Sequence, residues 1–200
     1  MPWKKDFDTE VALGDAMRVF WAKGYEATSI TDLTKAMSIN KGSLYNAYGG
    51  KKDLFIKAIL KYTRDNQQAM LAKLAHMQDP LDSIKMLFEA IVTESLADDE
   101  KRGCFLVNTA LDMPNHTKDI QEIVSGSLHD MENFLERCIV GGQARGSVSA
   151  QLNPRETAKS LLVQIVGLRV LARGVFTHDS LNTIKKQAVL GLVPRTGSLT

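Results

Sequence analysis

The segment TSITDLTKAMSINKGSLYNAYGGK, Thr28–Lys51, decides how the chain is read. Ser29 stands where a helix N-cap belongs, and Asp32 three residues later completes a weak capping box. Leu33, Ala36 and Met37 give the helix that follows one apolar face. Ser38, Ile39 and Asn40 break it. Asn40 is itself a good N-cap, so Lys41–Tyr48 reads as a second short helix, stopped by Gly49 and Gly50. Two short helices joined this way have the shape of a helix-turn-helix. The first braces against a sugar-phosphate backbone, and the N-terminal residues of the second enter a major groove. The side chains suit that task. Lys41 carries a charge for phosphate, and Gly42 lets the backbone approach closely. Ser43, Tyr45 and Asn46 are compact hydrogen-bonding groups. Lys51 opens the next helix, where its charge and the free backbone N–H groups can meet another phosphate.

Working outward, helical periodicity recurs and strand signals are nearly absent. Leu13, Ala16, Met17 and Phe20 place a first helix at about 8–23, with Gly24 as a left-handed C-terminal cap. A long helix is expected over about 51–76. Four helices in under 80 residues make a compact first unit. Further helices are expected at about 80–96, 103–112, 116–140, 154–174 and 179–190. Gly141 and Gly142 are read as ending the long helix at 116–140, and the acidic run Asp98, Asp99, Glu100 as a solvated linker. The fold class is all-α, with about nine helices. The division expected is 1–55 for the helix-turn-helix unit, 56–192 for a larger helical unit and 193–200 for a flexible tail. The stretch LVPRTGS, 192–198, resembles a protease-site linker interrupted by Thr196. It is read as a disordered end from about Leu192 and set aside from function.

Composition bounds the function. The 200 residues are 44% hydrophobic and 24% charged, enough for a core without staples, and the net charge of +2 excludes a general polyanion binder. Nucleic-acid contact must therefore come from a local patch. Cys104 and Cys138 show no metal spacing, which suits a reducing cytoplasm. The first residues lack the apolar stretch of a signal peptide. The longest apolar run, Leu161–Phe176, is interrupted by Gln164, Arg169 and Arg173 and is too short to span a bilayer. These features predict a cytoplasmic protein with no membrane contact, cofactor or metal. No phosphate-binding loop, nucleophile elbow or zinc-protease motif is present, and His76, His116, His129 and His178 are scattered, so an enzyme is not expected. A helical adaptor that binds protein is the other rival. A polar, glycine-bearing helix at 41–48 is poor material for an apolar interface.

The motif from Gly24 and Tyr25 through Thr28, Ser29, Ile30 and Leu33, then Lys41, Gly42, Ser43, Leu44, Tyr45, Tyr48, Lys51, Lys52, Asp53, Leu54 and Phe55, strongly resembles the DNA-binding domain of the TetR family of repressors. The resemblance covers about residues 10–60. Ala47 stands where the family often has His or another large residue, and Tyr48 where Phe is usual. The resemblance implies that Thr28, Ser29, Tyr45 and Lys51 hold phosphates, while Lys41, Gly42, Ser43 and Asn46 face the groove. Tyr48, Leu44 and Leu54 are expected in the core, and Lys52 as a solvated charge. It also implies a repressor released from a palindromic operator by a small molecule, with the long helix 51–76 moving as a lever.

A palindrome needs two reading helices about 34–36 Å apart, so a homodimer on double-stranded inverted-repeat DNA is expected. Leu161, Leu162, Ile165, Val166, Leu168 and Leu171, with Leu181, Ile184, Ala188 and Leu190, are the interface candidates. Gly167 and Gly174 would allow close helix approach, and the family's four-helix dimer bundle supports this assignment. Candidates for an effector pocket are Met86, Phe88, Ile91, Cys104, Phe105, Asn108, Met113, Met131 and Phe134, although such residues are more often plain core. That lining would favour a small, largely apolar effector. His116 and Arg169 can bind an anionic group, but exposed surface is the expected home of each. The run Arg102, Gly103, Cys104, Phe105, Leu106, Val107, Asn108 resembles one found in a subgroup of the family, some of whose members with a cysteine there sense electrophiles or oxidants. Beside a helix N-terminus and two residues from Arg102, Cys104 would gain thiolate character. The plainer expectation is a buried, inert side chain.

Overall fold

A computed structural model describes residues 7–194. Ten α-helices form: α1 (Thr9–Lys23), α2 (Ile30–Ala36), α3 (Lys41–Tyr48), α4 (Lys51–Tyr62), α5 (Ala69–Ala75), α6 (Pro80–Ala97), α7 (Phe105–Leu111), α8 (Lys118–Arg145), α9 (Pro154–Leu171) and α10 (His178–Leu190). No strand occurs among the described residues. α4 and α5 are joined without a break by a π-helical turn, Thr63–Gln68, so 51–75 is one rod and the count becomes nine. A 3₁₀ turn, Met113–Asn115, precedes α8.

The helix starts follow from their caps. Asp8 accepts hydrogen bonds from the N–H groups of Glu10 and Val11. The Ser29–Asp32 capping box is complete in both directions. Asn40, Asp79, Asn153 and Thr177 cap α3, α6, α9 and α10. Each satisfies an N–H that has no partner within its helix.

Three boundaries differ from expectation. α8 runs through Gly141 and Gly142 to Arg145, and Gly146 in the left-handed region ends it. Gly142 is there for space: a Cβ would lie 2.4 Å from Val148 Cγ2. Gly24 has positive φ but extended ψ (79°, 172°), so it turns the chain without making the left-handed cap expected. Leu192, assigned to a disordered end, is 1% exposed, and its carbonyl accepts from the Ser149 N–H at 2.9 Å. Residues 195–200 of the expected tail lie outside the described residues.

Two apolar clusters make the interior. One joins α6, α8, α9 and α10 around Phe88, Leu135, Leu161 and Leu168. The other builds the first four helices around Phe20, Leu33, Leu44 and Phe55, and extends to Phe105, Leu106, Ile120 and Val124. The N-terminal helices are thus packed directly on α7 and α8. Trp21 reinforces the joint by donating to the Gly103 carbonyl at 3.2 Å, as does the Lys52–Asp119 ion pair at 3.0 Å.

Candidate nucleic-acid interface and buried cavity

α3 presents its N-terminal turn outward. Lys41, Gly42, Tyr45 and Asn46 are exposed, while Leu44 and Tyr48 are buried against α1 and α4. Tyr48 is fixed by donating its hydroxyl to the Thr9 carbonyl at 2.8 Å. Burial, with Glu10 and Asp8 nearby, pushes that phenol up to about 12. Tyr45 is 44% exposed, large for an aromatic ring, and Lys41 Nζ stands 5.9 Å from its centroid. At the start of α4, Lys51 Nζ lies 4.5 Å over the Tyr25 ring and 3.4 Å from the Glu26 carbonyl. A lysine held by a ring face and a neutral oxygen keeps its whole charge for a third partner.

Two expected contacts are placed differently. Thr28 is 1% exposed, and its hydroxyl donates to the Gly24 carbonyl at 2.6 Å, so it ties the turn between α1 and α2. Ser43 is 9% exposed, and its backbone N–H is taken by the Asn40 side chain, which leaves it little surface for a base. Ser29 is exposed, but its hydroxyl is engaged with Asp32. Asp32 is held well below the usual carboxylate range by Lys23 first and then by the Ser29 backbone and hydroxyl.

The second candidate site is a cavity of about 60 Å³ enclosed by the α4–α5 rod, α6, α7, α8 and α9. Apolar side chains such as Ile91, Leu128, Met131 and Ile165 form most of its wall. Its polar groups are few and converge. Arg169 has a side chain only 11% exposed and pairs with Glu94 at 2.5 Å. Tyr62 donates its hydroxyl to Cys104 Sγ at 3.5 Å. Burial, reinforced by Cys104, pushes the Tyr62 phenol well above its usual range, so it stays a proton donor. Gln67 donates to the Ser127 carbonyl at 2.6 Å, and Thr63 meets the Ser127 hydroxyl at 3.4 Å. The π turn therefore forms part of the wall. Such turns are frequent at functional sites because an extra residue re-aims the side chains around it.

Of the expected pocket residues, Ile91, Cys104 and Met131 line this cavity. Met86 is 46% exposed and faces away from it. Phe88 and Phe134 are buried in the packed core and do not line this cavity. Phe105 and Asn108 border a different cleft, and Met113 packs against the N-terminal cluster. Arg169 and His116, expected at the surface, are both buried. Arg102 turns away from Cys104, toward Asp98 and Glu100 and over the Trp21 ring at 4.7 Å. The cation that lines the same cavity as Cys104 is Arg169. Sequence reasoning missed Tyr62, Asn66, Gln67 and Glu94. A signal was available, since Thr63 and Gln67 continue the apolar stripe of Ile59 at helical spacing as polar residues.

Most of the residues expected at a dimer interface are covered within the chain. Leu161, Ile165, Leu168, Leu181 and Ala188 are buried within the chain and have no surface to give a partner. Leu171 and Ile184 are half-buried. The outer face of α9 instead carries Val163, 70% exposed, with Gly167 and Val170 one and two turns on, and α10 carries Leu190, 64% exposed.

Comparison with known proteins agrees with this geometry. A family model described as bacterial regulatory proteins, tetR family, matches residues 13–58, and one described as tetracyclin repressor-like, C-terminal domain, matches residues 80–183. The transcriptional regulator YezE of Bacillus subtilis is 28% identical over 160 residues, 80% of each chain. The transcriptional repressor ComR of Escherichia coli is 29% identical over 170 residues, 84% of this chain and 81% of its own. Among solved structures, a cysteine mutant of the TetR family regulator CifR, complexed with 26-bp operator DNA, superposes with a TM-score of 0.82 at 27% identity, covering 94% of this chain and 98% of that one. No helix among the described residues is long and apolar enough to cross a membrane. With the second family model spanning more than half its length, the chain belongs to the TetR family of bacterial regulatory proteins, and is a DNA-binding transcriptional regulator and not an enzyme.

Proposed function

We propose that the protein is a homodimeric repressor that holds an inverted-repeat operator through α3 and releases it when a small molecule enters the cavity behind α4. One observation carries this reading. The rod 51–75 begins with Lys51 beside the reading helix and forms the cavity wall with Tyr62, Asn66, Gln67 and Met70. A change at the wall is therefore delivered to the DNA-facing end by a continuous helix. The free volume of about 60 Å³ is well below the few hundred Å³ of a drug-sized site. An effector of any size must spread the wall, and the π turn is the part held by side-chain hydrogen bonds that a ligand can replace. The mostly apolar lining with Arg169 and Tyr62 suits a small, largely apolar effector with one polar or anionic end. Coupling of about 1–3 kcal/mol between the sites is the usual scale. The outer face of α9 and α10, with Val163 and Leu190, is the proposed dimer surface. Selection of bound duplexes from a random-sequence pool tests the reading. It should return an inverted repeat with half-sites about one helical turn apart, and enrichment of single half-sites would contradict it.

A second reading concerns how the effector acts. Cys104 is partly exposed in the cavity, accepts a hydrogen bond from Tyr62 and lies in the field of Arg169. The sulfur therefore faces the cavity between a hydroxyl donor and a guanidinium that line the same wall. An electrophile small enough for the cavity would alkylate Cys104 and wedge the wall open. N-ethylmaleimide should then release operator DNA from the protein and leave Cys104→Ser bound. Equal release from both would end this reading without touching the first.

A further inference from the structure

A second cleft, of about 220 Å³, lies between the C-terminal end of α1 and the segment from α7 to the 3₁₀ turn. It shares no lining residue with the cavity behind α4. Its walls are aromatic, with Trp21, Tyr25 and Phe105, and its polar edge carries Asp112, His116 and Arg173.

Two groups there are left without partners suited to them. His116 is 7% exposed, and its Nδ1 is closed off from solvent with no hydrogen-bond partner. Its ring stacks on Phe55 at 5.6 Å and meets Tyr25 edge-on at 5.8 Å. Buried imidazole nitrogens are ordinarily satisfied, so an orphan beside a cleft marks a position where a partner is accommodated. Arg173 is exposed and donates only to neutral oxygens, the Lys101 carbonyl at 3.0 Å and the Asn108 side chain at 3.3 Å. It forms no ion pair among the described residues, so its charge remains available to an anion.

We propose that this cleft is a separate binding site for a hydroxylated aromatic monocarboxylate. The ring fits between the aromatic walls. The carboxylate pairs with Arg173, whose planar guanidinium matches it in shape. The hydroxyl meets the His116 ring, and because a hydroxyl both donates and accepts, it suits whichever role the ring nitrogen takes. An engineered apolar cavity of about 150 Å³ holds benzene. This cleft of about 220 Å³ therefore has room for one substituted ring. Asp112 opposes a second carboxylate. The site lies beside Tyr25, whose ring carries Lys51, and so adjoins the DNA-facing surface.

The probes are 2-, 3- and 4-hydroxybenzoate, titrated calorimetrically into the full-length protein. The Trp21 indole N–H resonance, assigned by its loss in Trp21→Phe, is the local reporter. At least one isomer should bind saturably with one site per chain and shift that resonance. Arg173→Gln, at the surface, should weaken binding at least ten-fold, and so should His116→Phe, provided its helical signal matches the parent. Absence of saturable heat with all three isomers would overturn the proposal. So would binding that Arg173→Gln leaves within two-fold, or binding that does not move the Trp21 resonance.

Discussion

At the residue scale, surface and partners decide what each polar side chain can do. Tyr45 and Lys51 are large or charged groups held at the protein surface with few competing contacts. Tyr45→Ala or Lys51→Ala should each weaken operator binding by about 1–3 kcal/mol, the scale of a lost protein–DNA contact. Gel retardation reads the loss, and an unchanged helical spectrum shows the fold intact. Thr28→Ala should instead act on the turn it ties, because its hydroxyl is spent on Gly24. A second residue-scale expectation concerns acid. Asp119 is lowered to about 2, by the Thr117 hydroxyl first and then by Lys52. A carboxyl depressed in the folded state stabilises it at pH above the ordinary Asp value, about 3.9. That contribution is lost as pH falls from there toward 2. Following helicity between pH 5 and 2, Asp119→Asn should remove part of the acid-induced loss. The identity of these residues was legible from type and spacing. Which of them keep free surface was not, because Thr28 and Ser43 are covered only once the first helices pack together.

At the element scale, the caps and breaks of the first four helices were legible because the signals are local. Ser29 with Asp32, Asn40, and Gly49 with Gly50 each act within one turn of their own position. The end of α8 was misread because glycine has two uses. Gly141 and Gly142 look like a stop, yet Pro80 and Val148 pack against them from elsewhere in the chain, and Gly146 makes the turn. Gly142→Ala should therefore destabilise the protein by about 1–3 kcal/mol, as overpacking does, although alanine is the better helix former. Urea denaturation measures it, and a gain in stability would show that Val148 gives way. The π turn was not legible either. It depends on Gln67 and Thr63 reaching Ser127 across to α8, and that pairing is tertiary.

At the scale of the whole molecule, the apolar pattern of α9 and α10 is packing surface, and most of it is covered by the chain's own helices. The broad stripe of Leu161, Ile165 and Leu168 covers the chain's own α6 and α8, and only the narrower outer face with Val163 is left over. Helical periodicity locates a buried face without saying whether the covering helix belongs to the same chain. Val163→Asp, on the proposed dimer surface, should thus leave the protein monomeric at micromolar concentration and abolish operator retardation while helicity persists. A dimer that survives this change would place the interface elsewhere. The proposed function requires two chains to set two copies of α3 on one operator. Sedimentation velocity of the purified protein with a duplex bearing the selected repeat reads it directly. The account predicts a complex of two chains per duplex that forms in one step and dissociates as salt is raised. A single chain bound to each duplex across the titration would contradict it.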